Sequence, residues 1–314
     1  MDIVGILMIV FGLSLFEIIT SLDNAVINAE VLSTMSARAR RWFMTWGIII
    51  AVFMVRGLLP WFIVWATSFE LGPLGAFTAT FSNDPSVIRS IEMSKPILLM
   101  GGGVFLFLVF LHWLFLEPKN FGLRGEKFFY RYGLWFFAVA SVFLAAITWL
   151  GIKKEPLLAF SAVVGSSAFF ITHGFKENAE KAEKNLMHGS SNLSDWSKIL
   201  YLEVIDASFS IDGVLGAFAF TLSIPLILLG NGIGAFALRQ LTLSNIDRIK
   251  KYRYLKNGAM YSILFLGIIM MMDSFGAHIP HWFSPLVTAG TVGFFLAKSI
   301  KENKQEGKAK VEKK

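Results

Sequence analysis

Two hydrophobic segments of this chain carry carboxylates in one pattern. In the first, Glu17 and Asp23 are separated by five residues, with Ser21 two places before the second acid and Asn24 directly after it. In the second, Asp206 and Asp212 are separated by five residues, with Ser210 two places before and Gly213 after, and Glu203 stands three residues ahead of Asp206. A carboxylate at bilayer depth is costly and rare, and where it occurs it faces an internal pathway or a partner charge. Paired acids repeated in two halves point to a cation site at the interface between repeats. Six residues of regular helix give a rise of ~9 Å and a rotation of about 240°. The two acids of one segment therefore share an ion only if the helix unwinds; otherwise each faces a different layer. Ser21, Asn24, Ser210 and Gly213 are residue types that permit unwinding, and the Ser and Asn oxygens would serve as extra ligands. An all-oxygen set suits hard or borderline cations such as Mg²⁺, Ca²⁺ and Mn²⁺.

The elements that must position these acids follow from composition. Of 314 residues 55% are hydrophobic and only 16% charged, against about 45–50% and about 25% in a soluble domain. Mean hydropathy is +0.60. The excess falls into long runs broken by short charged loops, which predicts an all-α polytopic membrane protein whose solvent partner is the lipid bilayer. Runs near the ~20 residues that cross a bilayer fall at about 3–32, 42–66, 97–116, 132–151, 157–173, 198–222, 225–243, 257–274 and 283–299. These give about nine transmembrane helices. The first run has no basic segment ahead of it and contains Glu17 and Asp23, so it reads as a mature helix and not a cleaved signal peptide. With no Cys, disulfides and thiolate metal sites are excluded.

The net charge of +7 sits in the loops, where membrane orientation explains it and nucleic acid does not. Arg38, Arg40 and Arg41 follow the first run, and Lys119, Arg124, Lys127 and Arg131 the third. Lys176, Lys181 and Lys184 follow the fifth, and Arg248, Lys250, Lys251, Arg253 and Lys256 the seventh; the alternate connections are nearly free of basic residues. Basic residues mark the cytoplasmic side, which places the N-terminus outside and the C-terminus inside. Residues 67–96 are expected as a long outside connection and 174–197 as a short solvated helix. Residues 1–300 form one transmembrane domain, and 301–314 a basic, disordered cytoplasmic tail.

The halves match beyond the acids. Arg56 lies well inside the second run and Arg239 well inside the seventh; Lys95 opens the third with His112 seventeen residues on, and Lys256 opens the eighth with Asp273 seventeen residues on. Helices 1–3 (about 3–116) thus correspond to helices 6–8 (about 198–274), with linking helices at 132–173 and a last helix at 283–299. Because the first enters from outside and the sixth from inside, the repeat is inverted, and such repeats place their site near the midplane.

These residues resemble the TerC family of integral membrane proteins, within the LysE-type transporter superfamily. The first motif ends in Asp23-Asn24; the later one reads Glu203, Asp206, Asp212; Arg56, Gly101-Gly102-Gly103 with His112, Asn231, Arg239 and Tyr254-Leu255-Lys256 follow in the family's order. Gly213 departs from the Ser often found there. The resemblance implies a divalent-cation exporter of the bacterial inner membrane, chiefly for manganese, with a link to tellurium resistance. Read this way, Glu17, Asp23, Asn24, Glu203, Asp206 and Asp212 are the metal set, and Arg56 and Arg239 are charge partners that an entering cation displaces.

Rival readings stand beside it. The acids and arginines would also make a structural ion-pair network. The 174–197 loop and tail would suit a membrane anchor for a metal or tellurite stress-response complex. An intramembrane metal-dependent hydrolase lacks any nucleophile or H-E-x-x-H motif, and no Walker motif appears. No enzyme activity and no cofactor are expected. Glu203 is open between ligand, proton carrier and entrance residue. His112 reads as an interhelical packing histidine, His173 shows no ligand spacing, and Met270-Met271-Met272 reads as core filler.

Overall fold

A computed structural model of the protein describes residues 2–22, 25, 31–32, 34–78, 85–119, 121–123, 125–188, 194–249 and 251–311. Every regular element among them is helical. In chain order these are α1 (Ile3–Thr20), α2 (Ala37–Thr67), α3 (Gly72–Thr78), α4 (Pro85–Leu116), α5 (Glu126–Arg131) and α6 (Phe136–Lys154). There follow α7 (Pro156–His188), α8 (Asp195–Ala217), α9 (Ile224–Ile249), α10 (Leu255–Ser274) and α11 (Phe283–Val311). Among the described residues, seven apolar spans are long enough to cross a bilayer: Ile3–Thr20, Ala37–Thr67, Arg89–Leu116, Gly133–Lys154, Pro156–Lys176, Leu255–Ser274 and Phe283–Gln305. The protein is a polytopic helical membrane protein. Helix α8 carries Glu203, Asp206 and Asp212, and the apolar part of α9 is the shorter stretch Ile224–Gln240.

Small residues set the helix contacts, as expected where lipid removes the hydrophobic drive between helices and close approach must supply the packing. A Cβ on Gly230 of α9 would lie 2.5 Å from Leu13 of α1, and one on Gly234 would lie 2.7 Å from the Ser14 carbonyl and from Glu17 Cβ. Residue numbers rise together across this contact, so α1 and α9 run in the same direction. Gly213 and Gly216 of α8 face Glu17 and Phe16 in the opposite order, so α1 and α8 are antiparallel. At the centre α4 packs antiparallel on α10: Lys95 pairs with Asp273 at 2.8 Å at one end and Glu117 with Lys256 at 2.7 Å at the other. The backbones touch at Gly103 and Gly267 between them. Gly101 likewise meets Gly165 and Ser161 of α7, so the glycine run is a packing device.

Four expectations change. Helix α1 closes at Thr20 and does not continue unbroken to residue 32; Ser21 caps it, its N–H bonded to the Glu17 carbonyl while its hydroxyl turns to the Glu17 carboxylate. The third long helix starts at Pro85, so Lys95 lies inside α4 and does not open it. Pro85 suits a helix start, and Pro96 is tolerated inside the helix. Residues 174–188 continue α7 and do not form a separate short helix. The tail is helical to Val311. Its first turn is held by the Tyr254 hydroxyl donating to Glu302 at 2.7 Å and by Asn303 donating to the Lys251 carbonyl at 2.9 Å.

Candidate functional site

Helix α2 is not regular. Phe43–Gly47 and Ala51–Leu58 are π-helical, a geometry that widens the turn and recurs at functional sites. Arg56 lies in the second stretch, 2% exposed, and its guanidinium crosses to two other helices. Nε and Nη2 donate to Glu17 Oε1 of α1 at 2.9 and 2.6 Å, and Nη1 donates to Asp206 Oδ2 of α8 at 3.4 Å. The Ser21 hydroxyl also donates to Glu17 Oε1, at 2.7 Å. The first acids of the two matching motifs are therefore brought together on one arginine. Glu17 and Asp206 are buried, and charges at such depth persist only when paired and hydrogen-bonded. Two carboxylates on one guanidinium leave the trio with an excess negative charge.

The second acids are arranged differently. Helix α8 stays helical from Asp195 to Ala217, so it does not unwind between Asp206 and Asp212. The two acids face different layers: Asp206 meets Arg56, whereas Asp212 Oδ2 lies 3.7 Å from Lys176 Nζ of α7. Asp23 and Asn24 lie outside the described residues.

Glu203 and Arg239 meet the first π-helical stretch. A Cβ on Gly47 would lie 2.4 Å from Glu203 Oε1, and that buried oxygen has no hydrogen-bond partner. Arg239 donates from Nη1 to the Phe43 carbonyl at 3.3 Å and stacks 4.3 Å above the Phe43 ring. It lies near enough to Asp206 and Glu203 for their charges to interact. Each widened stretch of α2 thus carries or receives one arginine, Arg56 buried and Arg239 half-buried.

Sequence reasoning missed one grouping. His112 of α4 and His173 of α7 have ring centroids 3.9 Å apart, inside a cage of Phe136 and Phe169. His173, Lys176 and Glu117 also act electrostatically on Asp212. No signal in the sequence joins positions 112 and 173; the crossing of α4 and α7 at Gly101 and Gly165 does. Among the described residues, no group of three or more His, Asp and Glu is drawn together closely enough to hold a metal ion.

Residues 22–306, nearly the whole chain, match the family described as protein of unknown function, DUF475. The chain belongs to this DUF475 family. A shorter match, 26% identical over 106 residues, joins it to the "Uncharacterized membrane protein YceF" of Bacillus subtilis (strain 168). It covers 34% of this chain and 41% of that protein, so the chain spans less than half of the relative it matches. No solved structure matches. The match to the DUF475 family spans all three acids that converge on α2 or α7 from α8, together with Arg56 and Arg239, and leaves Glu17 just ahead of it. The relative is a membrane protein by its own description, in keeping with the apolar spans of this DUF475 member.

Proposed function

We propose that this protein is a secondary transporter that carries a divalent metal cation, with manganese the preferred cargo, across the bacterial inner membrane. The reading carries over the TerC resemblance, takes α8 and α9 as crossings six and seven of nine, and makes α1, α2, α4 and α8, α9, α10 the two inverted halves. One observation supports it above others: Glu17 and Asp206, equivalent acids of the two motifs, share the Arg56 guanidinium. Arg56 is then the protein's own stand-in for the transported charge. A cation arriving between α1 and α8 would take the carboxylates, with Glu203, Asp212, Asp23 and Asn24 completing the set, and Arg56 would swing away. The parallel α1–α9 and antiparallel α1–α8 and α4–α10 contacts agree with the directions that nine alternating crossings require.

The same arginine supports one other reading, a structural ion-pair network that ties α1, α2 and α8. The two differ in what a metal does. Protein reconstituted in liposomes should move Mn²⁺, and Glu17→Gln and Asp206→Asn should each stop it while leaving the protein folded. Selectivity should favour Mn²⁺ over Zn²⁺ and Cu²⁺ through oxygen ligands and site size, against an affinity order that alone would favour the other two. Intact flux in both variants would leave the network reading standing.

A further inference from the structure

Asn231 of α9 is fully buried, and neither its Nδ2 nor its Oδ1 has a hydrogen-bond partner. Native structures seldom leave both ends of a buried amide unused. Its direction follows from its neighbours. Gly230 and Gly234 face α1, against Leu13 and Glu17, while Leu228 and Gly232 face α2, against Gly57 and Val52. At about 100° per residue, position 231 falls between those two faces. It lies on the buried side of α9, between the faces that meet α1 and α2, about one turn of α9 before the level of Glu17.

We propose that Asn231 is a further ligand for the transported cation, offering its carboxamide oxygen beside Glu17 on the side toward Ile3. The inference rests on the transport reading above. A neutral oxygen suits this position, because the trio of Glu17, Asp206 and Arg56 already carries excess negative charge. An amide also holds its ligand character at any pH. The cost of leaving it dry and unpaired is then the cost of a prepared ligand, recovered when the ion arrives.

The test uses the full-length protein in detergent, with Mn²⁺ binding followed by calorimetry and unfolding followed by melting temperature. Asn231→Leu keeps the branched outline and removes both unpaired groups. It should melt at or above the wild-type temperature without metal and bind Mn²⁺ at least tenfold more weakly. Asn231→Asp restores an oxygen and adds a charge, and should bind Mn²⁺ more tightly than wild type. Wild-type affinity in Asn231→Leu, or a marked fall in its melting temperature without metal, makes the amide structural and overturns the proposal. If Asn231→Leu does not fold, Asn231→Asp decides alone, since an unchanged Kd for a new charge beside Glu17 would place Asn231 off the ion's path. Absence of Mn²⁺ binding by the wild-type protein is a separate result that overturns the transport reading and this inference with it.

Discussion

Nε and Nη2 of Arg56 converge on a single oxygen of Glu17, at 2.9 and 2.6 Å, so that Glu17 Oε2 is left facing Gly213 of α8, where an added Cβ would lie 3.3 Å away. One carboxylate is thus half committed to its arginine and half turned toward the helix that carries the matching motif.

Arg56→Met should therefore be strongly destabilising. It strands two buried carboxylates, and removing one member of a buried ion pair costs about 3–5 kcal/mol. Mn²⁺ should restore part of that loss and raise the melting temperature of Arg56→Met more than that of wild type. The combined change Glu17→Gln, Arg56→Met, Asp206→Asn removes every charge in the trio and should come back near wild-type stability, without transport. Thermal unfolding with and without Mn²⁺ checks all three statements. An Arg56→Met protein as stable as wild type would show that the guanidinium is not what compensates the acids.

Asp212 is a different case. Its partner Lys176 is partly exposed and 3.7 Å away, so Asp212→Asn should cost much less stability than Arg56→Met. Mn²⁺ flux should nonetheless be lost. The same assay on Asp23→Asn should give the same result. Unfolding in detergent together with normal flux per folded molecule would make both acids structural.

The absence of Cys makes orientation directly measurable. Leu74→Cys on α3, at a residue 81% exposed, should react with an impermeant maleimide from outside intact cells. Ser190→Cys should react only after the inner face is opened. The reverse pattern would invert the charge-derived topology, and labelling of both from outside would break the inverted repeat.

Lys119 gives a pH signature outside the spans. Burial pushes its ammonium down to about 8, although Glu117 and Glu126 pull the other way. The side chain lies 3.5 Å over the Trp113 ring and donates to the Trp113 carbonyl. An unfolded lysine keeps a value of about 10.4. Between about pH 8 and pH 10 the unfolded chain holds a proton that the folded chain has released, so this group makes stability rise with pH across that window. Lys119→Met should accordingly gain most over wild type at neutral pH, with the gap narrowing toward pH 10. Melting curves at pH 7 and pH 10 suffice, and a gap that widens with pH would contradict the buried setting of Lys119.

The parts of this architecture that were legible from the sequence are those that repeat. Apolar runs gave the helical membrane class, and the spacing Glu17–Asp23 and Asp206–Asp212 singled out the acids without showing which would meet. The pairing of Glu17 and Asp206 on Arg56 needed the third dimension, because the second acids, six residues on, face another layer. Charge misled at Lys95, which reads as the opening of the third span, yet α4 runs through it from Pro85. The Lys95–Asp273 bridge shows why, since it ties that outer part of α4 to the end of α10. The charge-rich segment at 174–188 reads as a separate short helix and is instead the end of α7, and the one after Lys301 reads as a disordered tail, whereas it is helical once a neighbour such as Tyr254 fixes its first turn. The meeting of His112 with His173 had no sequence trace at all, because it is made by small residues at a helix crossing.

The widened turns of α2 carry one further consequence. Membrane carriers that place ions at the midplane commonly interrupt a helix to make room, and every amide freed by the interruption then needs a partner in a medium that offers none. Helix α2 swells at Phe43–Gly47 and Ala51–Leu58 and continues. Room beside the acids is thus made by a change of pitch and not by a break in the helix.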